Sequence, residues 1–363
     1  MRNVAVLAGG CSAEHDISVA SALQVLAQLD AARWRVWPVF LDRRGAWCPA
    51  VRPLAADAWP GPDFRAPGME PMRPGVAVEF LIERAGVEIV LPVLHGRSGE
   101  DGTVQGMLEL HGLPFVGSDV AASAVAMDKI RTRECLSFWD VPMPDAYLPA
   151  APLASVDAAW EAEAIGASIG YPCFLKVDLS GSTIGVERAA GGDDVVRFLE
   201  RFAHAGRRYL AEAEVRGDEI SVPVLGNTGA LLQPLPPIGI YPVHGGHFTF
   251  TAKYEPGMCE EVVPPRGMDA SAIAEVQELA VRCHRALQCD GMSRTDMILG
   301  PDGPRVLEVN TIPGLTPTSL LPQAARAAGI EFPALLDRLL ELAGQRWGTA
   351  RRMPIGTLSA TSP

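Results

Sequence analysis

Ser293-Arg-Thr-Asp-Met-Ile-Leu-Gly-Pro-Asp-Gly-Pro-Arg-Val-Leu-Glu-Val-Asn-Thr-Ile-Pro-Gly314 is the stretch on which the reading of this chain turns. It predicts two β-strands, Arg294 to Leu299 and Arg305 to Val309, joined by the turn Gly300-Pro-Asp-Gly303. Asp296 falls on the first strand and Glu308 on the second. Asn310, two residues past Glu308, shares its face because side chains alternate along a strand. Two carboxylates and a carboxamide on an otherwise apolar sheet need a reason to be there. Close carboxylates repel unless a cation neutralises them, and hard oxygen ligands suit Mg²⁺. Arg294 adds a fixed cation to that face. The same pattern also fits a hairpin with solvated acids on its outer face, so the rest of the chain has to decide.

With 363 residues the chain suggests two or three domains, taking roughly 150 residues per domain. An apolar content of 48% and a charged content of 20% are those of a globular protein with ample core. The net charge of −12 argues against nucleic acid or an anionic membrane surface as a partner, though not against a local basic pocket. The seven cysteines are scattered with no CxxC pair, which points away from a zinc site or a disulfide framework and makes the cytoplasm the expected home. The apolar run at the N-terminus is too short for a signal peptide, and no run suits a transmembrane helix.

Upstream of the hairpin the chain opens as a βαβ unit. Asn3 to Ala8 reads as a buried parallel strand, a helix runs from Ile17 to Leu29, and Trp34 to Leu41 is the next strand. Gly9-Gly-Cys-Ser-Ala-Glu14 is not GxGxxG, which weakens a dinucleotide reading. Its turn offers backbone N–H groups to an anion, and Ser12 is a candidate N-cap. Glu14 beside it is either a helix-dipole partner or a ligand for a substrate amine. Pro49 to Gly75 reads as a surface excursion. A strand from Val87 to Leu94 ends at the polar loop His95 to Thr103, where open α/β sheets place ligands, so His95 is either structural or part of a site. A helix over Val104 to His111, a strand over Leu113 to Val116 and one long helix over Ala122 to Trp139, carrying Lys129, follow.

After a proline-rich linker (Val141 to Pro152) come a helix (Asp157 to Ile165) and the apolar strand Cys173-Phe-Leu-Lys-Val177. The loop Asp178-Leu-Ser-Gly-Ser-Thr183 offers hydroxyl and N–H donors to phosphate oxygens, and Lys176 needs an anionic partner. Further elements are a strand over Ile184 to Arg188, a helix over Asp194 to Ala203 and strands over Arg207 to Glu214 and Glu219 to Leu225. Phe248 to Tyr254 alternates as a half-buried strand, and Met268 to Leu287 forms a long amphipathic helix before the hairpin. Helices through about Ala328 and over Pro333 to Ala343 follow it, and Gly344 to Pro363 is a polar, disordered tail.

Taken together, Gly9 to Ser18, Leu94 to Gly106, Met127-Asp-Lys129, Ala252-Lys-Tyr254 and Arg294 to Gly314 resemble the D-alanine–D-alanine ligase family of the ATP-grasp superfamily, from Val4 to about Leu342. The resemblance implies a Rossmann-like parallel-sheet domain (1–121) followed by a two-part ATP-grasp fold (122–214 and 215–345), α/β and α+β in class, with a disordered tail over 346–363. It implies that ATP and D-alanine are substrates and that two Mg²⁺ or Mn²⁺ ions assist. It also implies cytoplasmic synthesis of a peptidoglycan precursor by a homodimer.

Residue by residue, the resemblance puts Lys129, Lys176 and Lys253 on the phosphates of ATP, together with Ser182 and Thr183 of the loop. Glu212, the backbone at Val215 and Glu219 would hold adenosine, and Asp296, Glu308 and Asn310 the metals. Glu14, with His95 close by, would take the first D-alanine's ammonium. Arg294 and the Gly314 N–H would face the oxyanion, and Ser319 with the Leu320 N–H the second D-alanine's carboxylate. Ser182 and Tyr254, linked to Glu14, resemble a triad that orders the site. The chain departs from the family pattern at Val177, Asp178 to Ser180, Glu214, Thr249 and Thr251, all around the nucleotide and the lid. Other acceptors (D-serine, D-lactate or another amino acid) and a non-catalytic nucleotide-binding homologue are the competing readings.

Overall fold

The computed structural model describes residues 1–53, 64, 68–149, 155–177, 185–203, 208–243 and 258–350. The chain begins with β1 (Arg2–Gly9), α1 (His15–Gln28), β2 (Trp34–Leu41) and β3 (Trp47–Pro49), followed by α2 (Pro74–Glu83), β4 (Ile89–Pro92) and α3 (Thr103–Leu110). The strands form one sheet in the order β3-β2-β1-β4, with β1 parallel to both β2 and β4. Val4 to Ala8 is completely buried, as expected of a central strand covered on both faces.

Two expectations fail here. Leu113 to Val116 is not a full strand: it contributes a single parallel bridge, Phe115 to Val90. The stretch from Pro49 to Gly75 is no mere surface excursion, because Phe64 within it is fully buried against Phe40. Trp47 also bridges Met72, which brings the chain back to the sheet just before α2. That helix begins with a proline in its first turn, a signal the sequence reading passed over.

The expected long helix over 122–139 is two helices, α4 (Val120–Met127) and α5 (Lys129–Phe138). Asp128 breaks it: its backbone leaves the helical region and its carboxylate accepts from the Ile130 and Arg131 N–H groups at 3.1 and 2.9 Å. An aspartate N-cap satisfies donors that a new helix would otherwise leave orphaned. Lys129 is therefore the first residue of a helix rather than the middle of one.

Next come β5 (Ala146–Tyr147), α6 (Ala158–Ser168), β6 (Cys173–Val177), β7 (Val186–Ala189), α7 (Gly192–Phe202) and β8 (Tyr209–Ala213). They build a four-stranded antiparallel sheet in the order β5-β8-β6-β7. Along β6 the residues Cys173, Leu175 and Val177 are buried beneath α6 and α7, while Phe174 and Lys176 face the other way. The larger sheet comprises β9 (Asp218–Leu225), β10 (Gln233–Pro234), β11 (Ile238–Pro242), β12 (Cys259–Val262), β13 (Met292–Gly300) and β14 (Gly303–Asn310). Its order is β12-β11-β9-β13-β14, with β10 pairing β9, antiparallel throughout. α8 (Ala270–Ala286) covers its back with Val276, Leu279, Ala280 and Cys283, a helical 3–4 spacing.

After α9 (Leu320–Ala327), α10 (Phe332–Ala350) runs seven residues beyond the end expected at Ala343, so the part of the tail expected to be disordered at 346–350 is helical. The cause is long-range packing. Leu335, Leu336, Leu339 and Leu340 enter the same core as Val4, Val6, Ala22 and Val25 of the first sheet. The Trp34 indole donates to Asp337 at 2.6 Å, and Trp347 meets Phe115 edge-on at 5.7 Å. The remainder of the tail lies outside the described residues.

Because Leu339 is fully buried there, Leu339→Ala is expected to destabilise the protein by about 2–5 kcal/mol. Urea unfolding followed by tryptophan fluorescence measures this, and a change of a few tenths of a kcal/mol would contradict the packing.

Candidate active site

A cavity of about 440 Å³ lies where the three sheets meet. Its floor is the β13–β14 hairpin. Antiparallel pairing sets Asp296 directly opposite Glu308, and Arg294 directly opposite Asn310. A bulge then shifts the register, so that Met297 pairs with Val306 and Leu307 is the extra residue. The bulge lets Leu307 and Glu308, neighbours in sequence, both line the cavity while Val306 stays in the core. Nothing in the sequence pattern marks it.

Arg294 is the centre of this floor. Its Nε and Nη2 donate to the two oxygens of Asp296 at 2.8 and 2.6 Å, a bidentate pair with both side chains under 10% exposed. Ser221 donates to the same carboxylate from β9, and Asn310 Nδ2 donates to it at 3.0 Å. Burial alone would lower the guanidinium pKa, but Asp296, with Glu308 and Glu100 further off, more than offsets this and raises it. Arg294 is thus the countercharge of Asp296 in this structure, as well as a residue lining the cavity.

The first domain closes one end. Ser12 does not cap α1, contrary to expectation. It donates instead to the His95 carbonyl at 2.7 Å and accepts from the Glu14 N–H at 3.2 Å, joining the two loops. Glu14 is the N-cap of α1 and is buried. A Cβ on Gly96 would lie 2.7 Å from its Oε2, and that glycine has φ +68°, so this approach requires glycine. Glu100, which the sequence reading did not single out, accepts from the Gly96 N–H at 2.6 Å and lines the cavity.

The smaller sheet closes the other end. Lys176 does not stand alone there: its ammonium pairs with Glu212. Arg133, a second residue passed over in the sequence, donates to the other oxygen of Glu212 at 3.1 Å. Phe174, Val186, Ile298 and Leu307 give this end an apolar slot. At the hinge, Glu214 receives both Nε and Nη2 of Arg188.

Opposite, the loop after β14 brings Gly314 and Ser319 together: a Cβ on Gly314 would meet Ser319 Oγ at 2.7 Å. Ser319 is the N-cap of α9 and Leu320 its first residue, so N–H groups free of helical partners point at this corner.

Glu14, His95, Lys129, Lys176, Glu212, Val215, Glu219, Arg294, Asp296, Glu308, Asn310, Gly314, Ser319 and Leu320 all line the one cavity. Ser182, Thr183, Lys253 and Tyr254, with Asp178 to Ser180 and Thr249, lie outside the described residues.

Two antiparallel sheets facing one cavity behind a parallel-sheet domain define an ATP-grasp enzyme. A model described as the D-ala D-ala ligase N-terminus matches residues 3–118, and one described as its C-terminus matches 147–341. A D-alanine–D-alanine ligase of Desulforudis audaxviator is 36% identical over 347 residues, covering 95% of this chain and 100% of its own. Among solved structures, VanG D-Ala:D-Ser ligase from Enterococcus faecalis superposes with a TM-score of 0.80 at 30% identity, over 94% of this chain and 99% of that one. D-alanine–D-alanine ligase from Bacillus anthracis complexed with ATP does so with a TM-score of 0.73 at 27% identity, over 96% and 100%. The chain belongs to the D-alanine–D-alanine ligase family, and it is a ligase.

Behind the floor, His284 of α8 is fully buried with Nδ1 2.7 Å from Ser293 Oγ. Burial pushes its pKa down to about 4. In the unfolded chain the imidazole takes up a proton near pH 6.5. Between those values the unfolded state binds the extra proton, so stability contributed by His284 is full above about pH 6.5 and falls as pH drops toward 4. Denaturant titrations at pH 7 and 4.5 should show His284→Gln losing less stability than the wild type over that interval, by about 2–3 kcal/mol. Equal losses would contradict a neutral, buried His284.

Proposed function

We propose that the chain is an ATP-dependent ligase that joins two D-alanines, giving D-alanyl-D-alanine, ADP and phosphate, as a step toward peptidoglycan precursors. The observation that carries this reading is the meeting, in one cavity, of cations on the smaller sheet and α5 with carboxylates on the larger sheet and α1. A carboxylate is a poor acyl donor, so it is first phosphorylated by the γ-phosphate of ATP. The amine of the second D-alanine then attacks the acyl carbon, and phosphate leaves from the tetrahedral intermediate.

The residues divide these tasks. Lys129 and Lys176 take phosphate oxygens, and Lys129 at a helix start adds the favourable end of the helix dipole. The apolar slot takes adenine, with Glu212, Val215 and Glu219 around the nucleoside. Glu14 holds the donor's ammonium beside His95. Arg294 and the Gly314 N–H stabilise the oxyanion, and Ser319 with the Leu320 N–H holds the acceptor's carboxylate.

Asp296, Glu308 and Asn310 form a hard-oxygen donor set that fits Mg²⁺. The direct opposition of the two carboxylates fits a cation between them. Bound there, Mg²⁺ would offset charge on the transferring phosphoryl group. Each oxygen of Asp296 already accepts two hydrogen bonds, from Arg294 and Ser221 and from Arg294 and Asn310, so one of these donors would have to give way for Asp296 to share in holding the ion. Lys253, Ser182, Thr183 and Tyr254 keep the roles that the family resemblance implies. The homodimer belongs to the same proposal and is checked by sedimentation.

Purified protein with ATP, Mg²⁺ and D-alanine is expected to release phosphate and form the dipeptide; no D-alanine-dependent release would overturn the proposal. D-serine and D-lactate as second substrates, compared across pH, identify the acceptor. Arg294→Lys, which keeps a countercharge for Asp296, is expected to lower turnover by about 10²–10³-fold with ATP binding nearly intact, whereas Glu308→Gln should raise the Mg²⁺ concentration needed for half-maximal rate. The reverse pattern would mean that the two faces of the floor are wrongly assigned.

A further inference from the structure

Arg133 lies four residues after Lys129 on α5, one turn further along the same helical face, and its guanidinium reaches the smaller sheet. Nη1 donates to Glu212 Oε1 at 3.1 Å, and Nη2 donates to the Pro144 carbonyl in the segment leading to β5. Lys176 occupies the other oxygen of Glu212. The side chains of Arg133, Lys176 and Glu212 are 16, 12 and 7% exposed. One carboxylate thus faces two cations in a nearly dry wall of the cavity. Such a cluster has one positive charge more than it can neutralise, and a second anion completes it.

Lys176 cannot serve Glu212 and a nucleotide phosphate fully at the same time. If Glu212 depended on Lys176 alone, drawing the ammonium to a phosphate would strand a buried carboxylate, at a cost that opposes binding. We propose that Arg133 is a positioning residue of the nucleotide site: it keeps Glu212 paired while Lys176 is transferred to the phosphates. This rests on the reading of the cavity as an ATP site. A second ion pair supports a fixed placement of α5 on this sheet: Asp128, the cap of that helix, binds Arg208 beside β8 at 2.6 Å. Helix and sheet are tied at both places, so Lys129 and Lys176 keep a constant separation and meet the same phosphates together.

The experiment measures the dissociation constant of the non-hydrolysable β,γ-imido analogue of ATP by calorimetry, alongside steady-state kinetics. Arg133→Met is expected to weaken binding about tenfold, a change of ~1.4 kcal/mol, with the loss falling on KM for ATP more than on kcat. Arg133→Lys should recover part of it. In a Glu212→Gln background, which leaves no carboxylate to hold, Arg133→Met should add little. A role limited to anchoring Pro144 would give the same penalty in both backgrounds and would overturn the proposal. So would wild-type affinity in Arg133→Met, or a loss confined to kcat. Arg133→Gln provides the same comparison should Arg133→Met fail to fold. A wild-type protein that does not bind the analogue would overturn the nucleotide reading itself, which separates that failure from one confined to Arg133.

Discussion

The floor of the cavity depends on one buried ion pair. Asp296 and Glu308 are held face to face by antiparallel register, an arrangement that repels unless a cation intervenes. Arg294, two residues from Asp296 on the same strand and face, is that cation in the structure, and its planar fork matches both carboxylate oxygens. Ser221 from the neighbouring strand and Asn310 from the other side complete the shell around Asp296. A charge network of this kind is costly to leave half satisfied, so it fixes the register of three strands as firmly as their apolar faces do.

Around that floor, each wall of the cavity is supplied by an element whose start or end is set by local chemistry. Lys129 reaches the site because Asp128 ends one helix and caps the next. Ser319 and Leu320 reach it because α9 begins there. Glu14 reaches it because α1 begins there, and Gly96 lets the neighbouring loop press against it. Helix starts recur because they leave N–H groups without helical partners, and such donors suit phosphates and carboxylates.

Much of this was legible in the sequence. The period of two along β14 placed Glu308 and Asn310 on one face, Asp296 fell on the partner strand, and the apolar runs located β1, β2 and β6. What escaped was of two kinds. Asp128 as a cap and the proline opening α2 were local signals that went unread against a strong helical or irregular background. The burial of Phe64, the extension of α10 to Ala350 and the bulge at Leu307 rest on contacts between residues far apart in the chain. Periodicity cannot report these, because the partner that decides them is not in the window. The pairing of Lys176 with Glu212 is of the same sort. The sequence showed that the ammonium needed an anion, but it could not say that the anion would come from β8.

The two ion clusters of the cavity, one on its floor and one at the smaller sheet, have the same logic. On the floor, Arg294 holds a carboxylate that a divalent cation would also bind; on the smaller sheet, Glu212 holds an ammonium that a phosphate would also bind. In each case the buried carboxylate has further partners: hydrogen bonds from Ser221 and Asn310 to Asp296, and the Arg133 guanidinium against Glu212. Burial makes such partners necessary, since an exposed carboxylate would exchange its cation for water at little cost. A nucleotide bound with a divalent cation as proposed would meet both clusters, its phosphates facing Lys176 and its cation facing Asp296.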